Sequence, residues 1–336
     1  MVRVAGLEAV SGLRPADVRW DLRGIADLLE EAFASDLDEV GQRIIREMRF
    51  WSRLGWLLKG LEWFLPPGET FAPGYVWVEG RRVVGYTMVR RFRPGSEGWL
   101  IANVAVAPGF RGRGIGRALV SACLEYARAH GARWAALQVR ADNTPALRLY
   151  RSLGFVEIGR IQIWHREAWR GPFLPSLSPT IPGYRVRPAR PGEAPTLAAW
   201  ITAAENPAMR LFEPLGLLPM ALAPWPFGRR WKTLWVLETE GGEIVALTVW
   251  IRREGLLTLR AFLAGSGTPL HARWLVETAL MEIPPGLPVM AMTGEEPPLS
   301  AALLSLGFRP VRTLIGMRHD LKAGSSEAAS GSPQGR

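Results

Sequence analysis

Cysteine is nearly absent from this chain, with one residue, Cys123, in 336. A lone cysteine excludes an internal disulfide and any multi-cysteine metal site, and it fits a reducing, cytoplasmic setting. Histidine is sparse too, at positions 130, 165, 271 and 319, with no metal-ligand spacing among them. No metal site is expected. Apolar runs of about 18 residues are missing, because charges interrupt every apolar stretch, so no membrane span is expected. Arg3, Glu8, Arg14 and Asp17 leave no apolar core at the N-terminus for a secretory leader. Lysine is scarce, with Lys59, Lys232 and Lys322 against thirty-eight arginines. A GC-rich genome or a hot habitat gives that bias as readily as function does. The net charge of +10 is spread along the chain without a run of like charges, so it argues against a nucleic-acid arm. A local basic site here fits an anionic small molecule better.

What is present is an ordinary globular composition, 48% apolar and 21% charged, in a chain long enough for two domains. Residues 170–183 hold four prolines and two glycines and read as a linker. The tail from 323 to 336 is rich in Gly, Ser and Ala and is expected to be disordered. Ser152-Leu153-Gly154-Phe155 recurs as Ser305-Leu306-Gly307-Phe308. Val76–Arg91 resembles Val236–Arg253, and Leu13-Arg14-Pro15-Ala16 matches Val186-Arg187-Pro188-Ala189. The chain therefore reads as two copies of one domain, at 1–168 and 184–322, joined by 169–183.

Strands and helices alternate within each copy, which makes the fold α/β or α+β. A hairpin is expected at 76–92 and a buried strand at 99–106. The spacing of Ile115, Leu119, Ala122, Cys123 and Tyr126 predicts a helix over 114–130, stopped by Gly131. A strand at 134–140 and a short helix at 145–152 follow. Cys123 falls on the apolar stripe as a packing residue. His130 sits at the helix end, where it serves the C-terminal dipole better than catalysis.

The sharpest motif runs from Val104-Ala105-Val106 through Arg111-Gly112-Arg113-Gly114-Ile115-Gly116-Arg117 into that helix. A buried strand meets a glycine-rich turn at a helix start, where first-turn amides lack intrahelical partners. Those amides, the helix dipole and the guanidinium groups suit a diphosphate. It is not a P-loop, because no Gly-Lys-Ser/Thr follows, nor a dinucleotide fingerprint, because the third glycine is missing.

Arg111-x-x-Gly114-x-Gly116 after this strand resembles the acetyl-CoA motif of the GCN5-related N-acetyltransferase (GNAT) superfamily. Asn143-x-x-Ala146-x-x-Leu149-Tyr150-x-x-x-Gly154-Phe155 is similar to that family's next motif. The resemblance implies two tandem GNAT-like domains, each a mixed, mostly antiparallel sheet flanked by helices. It implies acetyl-CoA as cosubstrate and a primary amine as acceptor, a small molecule or a peptide N-terminus. Backbone groups at Val104, Ala105 and Val106 would hold the pantetheine, between splayed strands matching 99–106 and 134–140. Amides from Arg111 to Arg117 would hold the pyrophosphate. Tyr150 would protonate the departing thiolate, and Asn143 either binds the cofactor or caps the next helix.

Two departures stand out. Where many members place a glutamate base, this chain has Leu100 and Gln138. Glu97, or an acid among Glu30, Glu31, Asp36, Asp38 and Glu39, could act through water instead. In the second copy, Ala261–His271 lacks the arginine-glycine pattern, Leu303 matches Tyr150 and Glu296 matches Asn143, so only the first copy is expected to bind acetyl-CoA. The aromatic segment 49–65 reads as a core stripe or a roof over the acceptor. The chain is expected to be a monomer or a weak homodimer. A non-catalytic CoA-binding scaffold is the alternative reading.

Overall fold

The computed structural model describes residues 11–34, 39–53, 74–93, 95–168, 181–212, 234–253, 256–281, 283 and 286–321. The tail 323–336, the linker through residue 180 and the aromatic segment from residue 54 to 65 lie outside these. So do Asp36 and Asp38.

The chain falls into two compact units that interleave along the sequence. One comprises 1–137, 145–156 and 318–336, the other 138–144 and 157–317. The division therefore does not follow the linker. Residues of the eleven-residue strand after Phe155 belong to the second unit because they pair there: His165 with Met290 and Ile163 with Met292.

The first unit opens with β1 (Gly12–Pro15), α1 (Val18–Ala32) and α2 (Glu39–Arg53). The hairpin β2 (Gly74–Glu79) and β3 (Arg82–Arg91) follows, then β4 (Gly98–Val106), α3 (Ile115–Ala129), the start of β5 (Trp134–Arg140) and most of α4 (Thr144–Ser152). Its strands lie in the order β1-β2-β3-β4-β5, antiparallel except for the β4–β5 pair. Ile25 and Leu28 of α1 and Ile115 and Leu119 of α3 bury against Val76, Val78 and Val84 of the hairpin. Burying a leucine such as Leu119, 0% exposed, contributes about 1.5–3 kcal/mol. Gly131, at φ +78°, stops α3: the Ala132 amide donates to Ala127 and the Gly131 amide to Arg128.

The second unit holds β6 (Val156–Arg166), β7 (Tyr184–Pro188), α5 (Ala194–Ala204), α6 (Pro207–Phe212), β8 (Leu234–Thr239) and β9 (Ile244–Arg253). It continues with β10 (Leu256–Leu263), α7 (Pro269–Met281), β11 (Val289–Thr293), α8 (Pro297–Ser305) and β12 (Arg309–Asp320) as far as Met317. The strand order is β12-β6-β11-β10-β9-β8-β7, with β10–β11 parallel. Trp250, Leu259, Val276, Leu303 and Phe308 share a core in this unit. Each unit is thus a mixed, mostly antiparallel sheet flanked by helices. Among the described residues, no helix is long and apolar enough to cross a membrane.

Candidate functional site

The site begins with an irregularity in β4. On β3 only Thr87 separates Tyr86 from Met88, whereas on β4 both Asn103 and Val104 separate their partners, Ala105 and Ala102. Two residues against one is a β-bulge, which bends the strand. Asn103 adopts φ +55°, a left-handed conformation that asparagine tolerates, and its amide meets Met88 Sδ at 3.2 Å. The parallel pairing of β4 with β5 covers only Gly98–Leu100 against Trp134–Ala136. From Ile101 to Val106, β4 has no β5 partner among the described residues. The sequence alone assigned no role to Asn103. The signal was there, one polar residue interrupting the apolar run Trp99–Val106.

Val104 and Val106 are half-buried and Ala105 is buried. After Ala107 a single 3₁₀ turn, Pro108–Phe110, leads into an exposed loop of Arg111, Gly112, Arg113 and Gly114. Gly112 and Gly114 both take φ +79°, and a Cβ on either would meet nothing within 4 Å. Backbone conformation is thus what requires glycine here. Gly114 is the N-cap of α3 and supplies no side-chain hydrogen bond, so the amides of Ile115, Gly116 and Arg117 carry no side-chain cap. Arg111 Nε donates to the Val106 carbonyl over 3.1 Å, and the Arg113 guanidinium lies 4.9 Å over the Phe110 ring. Uncapped amides, a helix N-terminus and two exposed guanidinium groups fit a diphosphate.

α4 packs close to this loop. A Cβ on Gly116 would sit 3.2 Å from Leu149 Cδ2, so glycine lets the two helices approach. Arg117 donates to Ser152 Oγ at 2.6 Å, and Ser152 donates on to the Leu149 carbonyl at 2.6 Å. Tyr150 therefore stands on a helix fastened to the first turn of α3. Its ring is 5% exposed and meets Phe155 edge-on at 6.0 Å. Burial pushes its hydroxyl up to about 12, so it stays protonated at neutral pH. Asn143 is exposed in the turn just before α4 and falls in the second unit.

The candidate bases fare differently. Leu100 is buried, and Gln138 has a buried amide nitrogen without a hydrogen-bond partner among the described residues. Glu30 pairs with Arg49 at 2.6 Å, and that hydrogen bond holds its carboxyl below its ordinary value. Glu31 pairs with Arg82 at 2.7 Å and Glu97 with Arg133 at 3.1 Å. These acids are engaged as ion pairs. Cys123 is fully buried, its thiol pushed up to about 12 by burial, which makes it a packing residue. His130 stacks on Tyr126 at 3.9 Å, with Nδ1 2.7 Å from the Tyr126 carbonyl at the helix end.

The corresponding region of the second unit is built differently. β10 pairs with β9 in unbroken register from Leu256 to Leu263, without a bulge. Ahead of α7, the Thr268 amide donates to His271 Nδ1 at 3.2 Å and the His271 amide donates to Thr268 Oγ1 at 3.4 Å. This reciprocal cap occupies a first-turn amide that Gly114 leaves without a side-chain cap in α3. Burial lowers the His271 pKa, which keeps the ring neutral and Nδ1 able to accept.

Residues 26–155 match the Acetyltransferase (GNAT) family. Mycothiol acetyltransferase of Corynebacterium glutamicum (strain R) is 43% identical over 81 residues, 24% of this chain and 27% of that protein. N-alpha-acetyltransferase RimI of Mycobacterium tuberculosis is 39% identical over 88 residues, 26% of this chain and 54% of that protein. The chain thus spans about a quarter to a half of the length of these curated relatives. Among solved structures, a GCN5-related N-acetyltransferase from Sphaerobacter thermophilus aligns with a TM-score of 0.57 at 18% identity, covering 92% of this chain and 95% of that one. A tandem GNAT protein from the clavulanic acid biosynthesis pathway aligns with a TM-score of 0.50 at 20% identity, covering 94% and 99%. At these identities the structural likeness speaks for the fold. Family match and sequence relatives agree on this stretch, and residues 26–155 form a domain of the Acetyltransferase (GNAT) family.

Proposed function

We propose that this chain is an acetyl-CoA-dependent N-acetyltransferase, in which the copy at 1–168 binds the cosubstrate and passes its acetyl group to a primary amine in a ternary complex. One observation carries the reading: an uncapped glycine-rich turn follows a bulged strand and is fastened, through Arg117 and Ser152, to the helix bearing Tyr150. The amides from Arg111 to Arg117 hold the diphosphate. The unpaired edge of β4 at Val104, Ala105 and Val106 takes the pantetheine as an added strand would be taken.

The amine nitrogen bonds to the acetyl carbon, and the carbon–sulfur bond then breaks. Tyr150 gives its proton to the departing sulfur, so CoA leaves as a thiol. The proton shed by the attacking amine passes to water, and Tyr150 recovers one from water. No acid stands at Leu100 or Gln138 to take it directly, so the amine must arrive already neutral. One relative's name specifies an α-amino group as acceptor, which makes peptide N-termini and small primary amines the acceptor class to try first.

The second reading, a non-catalytic CoA-binding scaffold, is favoured by those same missing acids and by the ion pairing of Glu30, Glu31 and Glu97. Thiol release from acetyl-CoA, measured across a panel of primary amines and peptides, separates the two. Amine-dependent release is expected. Tight CoA binding without such release for any amine would overturn the enzyme reading and leave the scaffold.

A further inference from the structure

The end of β12 packs against the turn that follows the helix carrying Tyr150. α4 ends in a Schellman turn: the Phe155 amide donates to the Tyr150 carbonyl and the Gly154 amide to Arg151, both at 3.0 Å, with Gly154 at φ +86°. Tyr150 is thereby tied to Phe155 twice, through the backbone and through the edge-on ring contact. His319 of β12 packs onto this turn, its Nδ1 2.9 Å from the Gly154 carbonyl and its ring 5.4 Å from that of Phe155. A carbonyl only accepts, so this bond requires the proton on Nδ1. A Cβ on Gly154 would lie 2.9 Å from the imidazole, so the ring sits directly against the backbone of the turn. Nearby, the Leu321 amide donates to the Arg133 carbonyl at 2.8 Å and the Arg318 guanidinium lies 5.1 Å over Trp134, which fix this end of β12 in the same unit.

We propose that His319 is a positioning residue for Tyr150, holding the end of α4 through Gly154 and Phe155 and so the direction of the tyrosine hydroxyl. The inference rests on the reading of Tyr150 as proton donor. The second copy has the same turn, with the Phe308 amide on the Leu303 carbonyl at 3.0 Å. There no hydroxyl needs aiming. The side chain nearest the absent Cβ of Gly307 is Arg166, with Nε 3.8 Å away, in place of an imidazole.

The test uses the full chain, acetyl-CoA and the most active amine of the panel above. His319→Ala is expected to lower kcat by about tenfold to a hundredfold while leaving the CoA dissociation constant from calorimetry unchanged. His319→Asn, which keeps an N–H at similar reach, should recover most of the rate, whereas His319→Leu should not. Deuterium exchange over 149–156 should quicken in His319→Ala, a readout independent of turnover. The double variant with Tyr150→Phe should be no slower than Tyr150→Phe alone, because both changes remove one proton delivery. An additive loss, or full activity in both His319→Ala and His319→Leu while Tyr150→Phe is slow, would overturn the positioning role and leave the donor reading standing. Full activity in Tyr150→Phe would overturn both.

Discussion

Arg260 on β10 and Glu205 at the end of α5 form an ion pair almost wholly removed from water, their side chains 2% and 4% exposed. The guanidinium also lies 5.3 Å over the Phe262 ring. Such a pair is costly to break and cheap to replace. Glu205→Ala should destabilise the chain, by up to about 3–5 kcal/mol, since it removes the carboxylate that faces a buried guanidinium. Replacing both residues by leucine and methionine should come out near neutral. Urea unfolding of the three proteins checks this, and a negligible loss in Glu205→Ala would contradict it.

The phosphate loop offers a binding test that needs no acceptor. Gly114→Val forces a β-branched residue to φ +79° and should weaken CoA binding by distorting the turn. Arg111→Ala removes a charge-assisted contact and should cost about 1.5–3 kcal/mol of CoA affinity. Calorimetry showing unchanged affinity in both variants would refute the diphosphate assignment.

Tyr150→Phe should keep CoA affinity and lower turnover by about 10²–10⁴-fold, the usual contribution of a general acid. The loss should shrink for acyl thioesters whose thiol leaves readily. Because burial pushes the hydroxyl up to about 12, wild-type turnover should show no decline from Tyr150 ionisation between pH 7 and 10. A pH–rate profile and a series of thioesters measure both effects.

Glu296 caps α8 without a cap hydrogen bond, and its Oε2 is buried with no partner among the described residues. Burial raises its carboxyl from 4.5 to about 7. The folded state therefore prefers it protonated, and the associated stability is present below 4.5 and lost as pH rises through 7. Glu296→Gln should match the wild type in melting temperature at pH 4 and exceed it at pH 8. Equal curves at both values would show that the carboxyl is not desolvated as described.

One acetyl-CoA per chain is the expected stoichiometry. The bulge at Asn103 and the uncapped turn at Gly114 occur in the first copy, while β10 runs unbroken and Thr268 and His271 close the start of α7. Isothermal titration yielding two sites of comparable affinity would reverse that assignment.

What was legible in the sequence is what arises within a few residues. The Ser-Leu-Gly-Phe repeat is a helix-ending turn in both copies, because only glycine takes the left-handed conformation there at little cost. The apolar spacing from Ile115 to Ala127 and the stop at Gly131 define α3 for the same local reason. The order of strand, glycine-rich turn and helix is local as well, and Gly112, Gly114 and the start of α3 adopt it. The roles of Glu30, Glu31 and Glu97 were not legible, because Arg49, Arg82 and Arg133 reach them only after folding. Nor was the bulge, which exists only as a mismatch between β3 and β4, although the lone Asn103 in an apolar run marks its place. Tertiary structure alone decided that His319 meets Gly154, 165 positions away, and that β6 pairs with β11. Strand pairing and side-chain contacts at such separations depend on which surfaces the packed core brings together, and no local spacing encodes that.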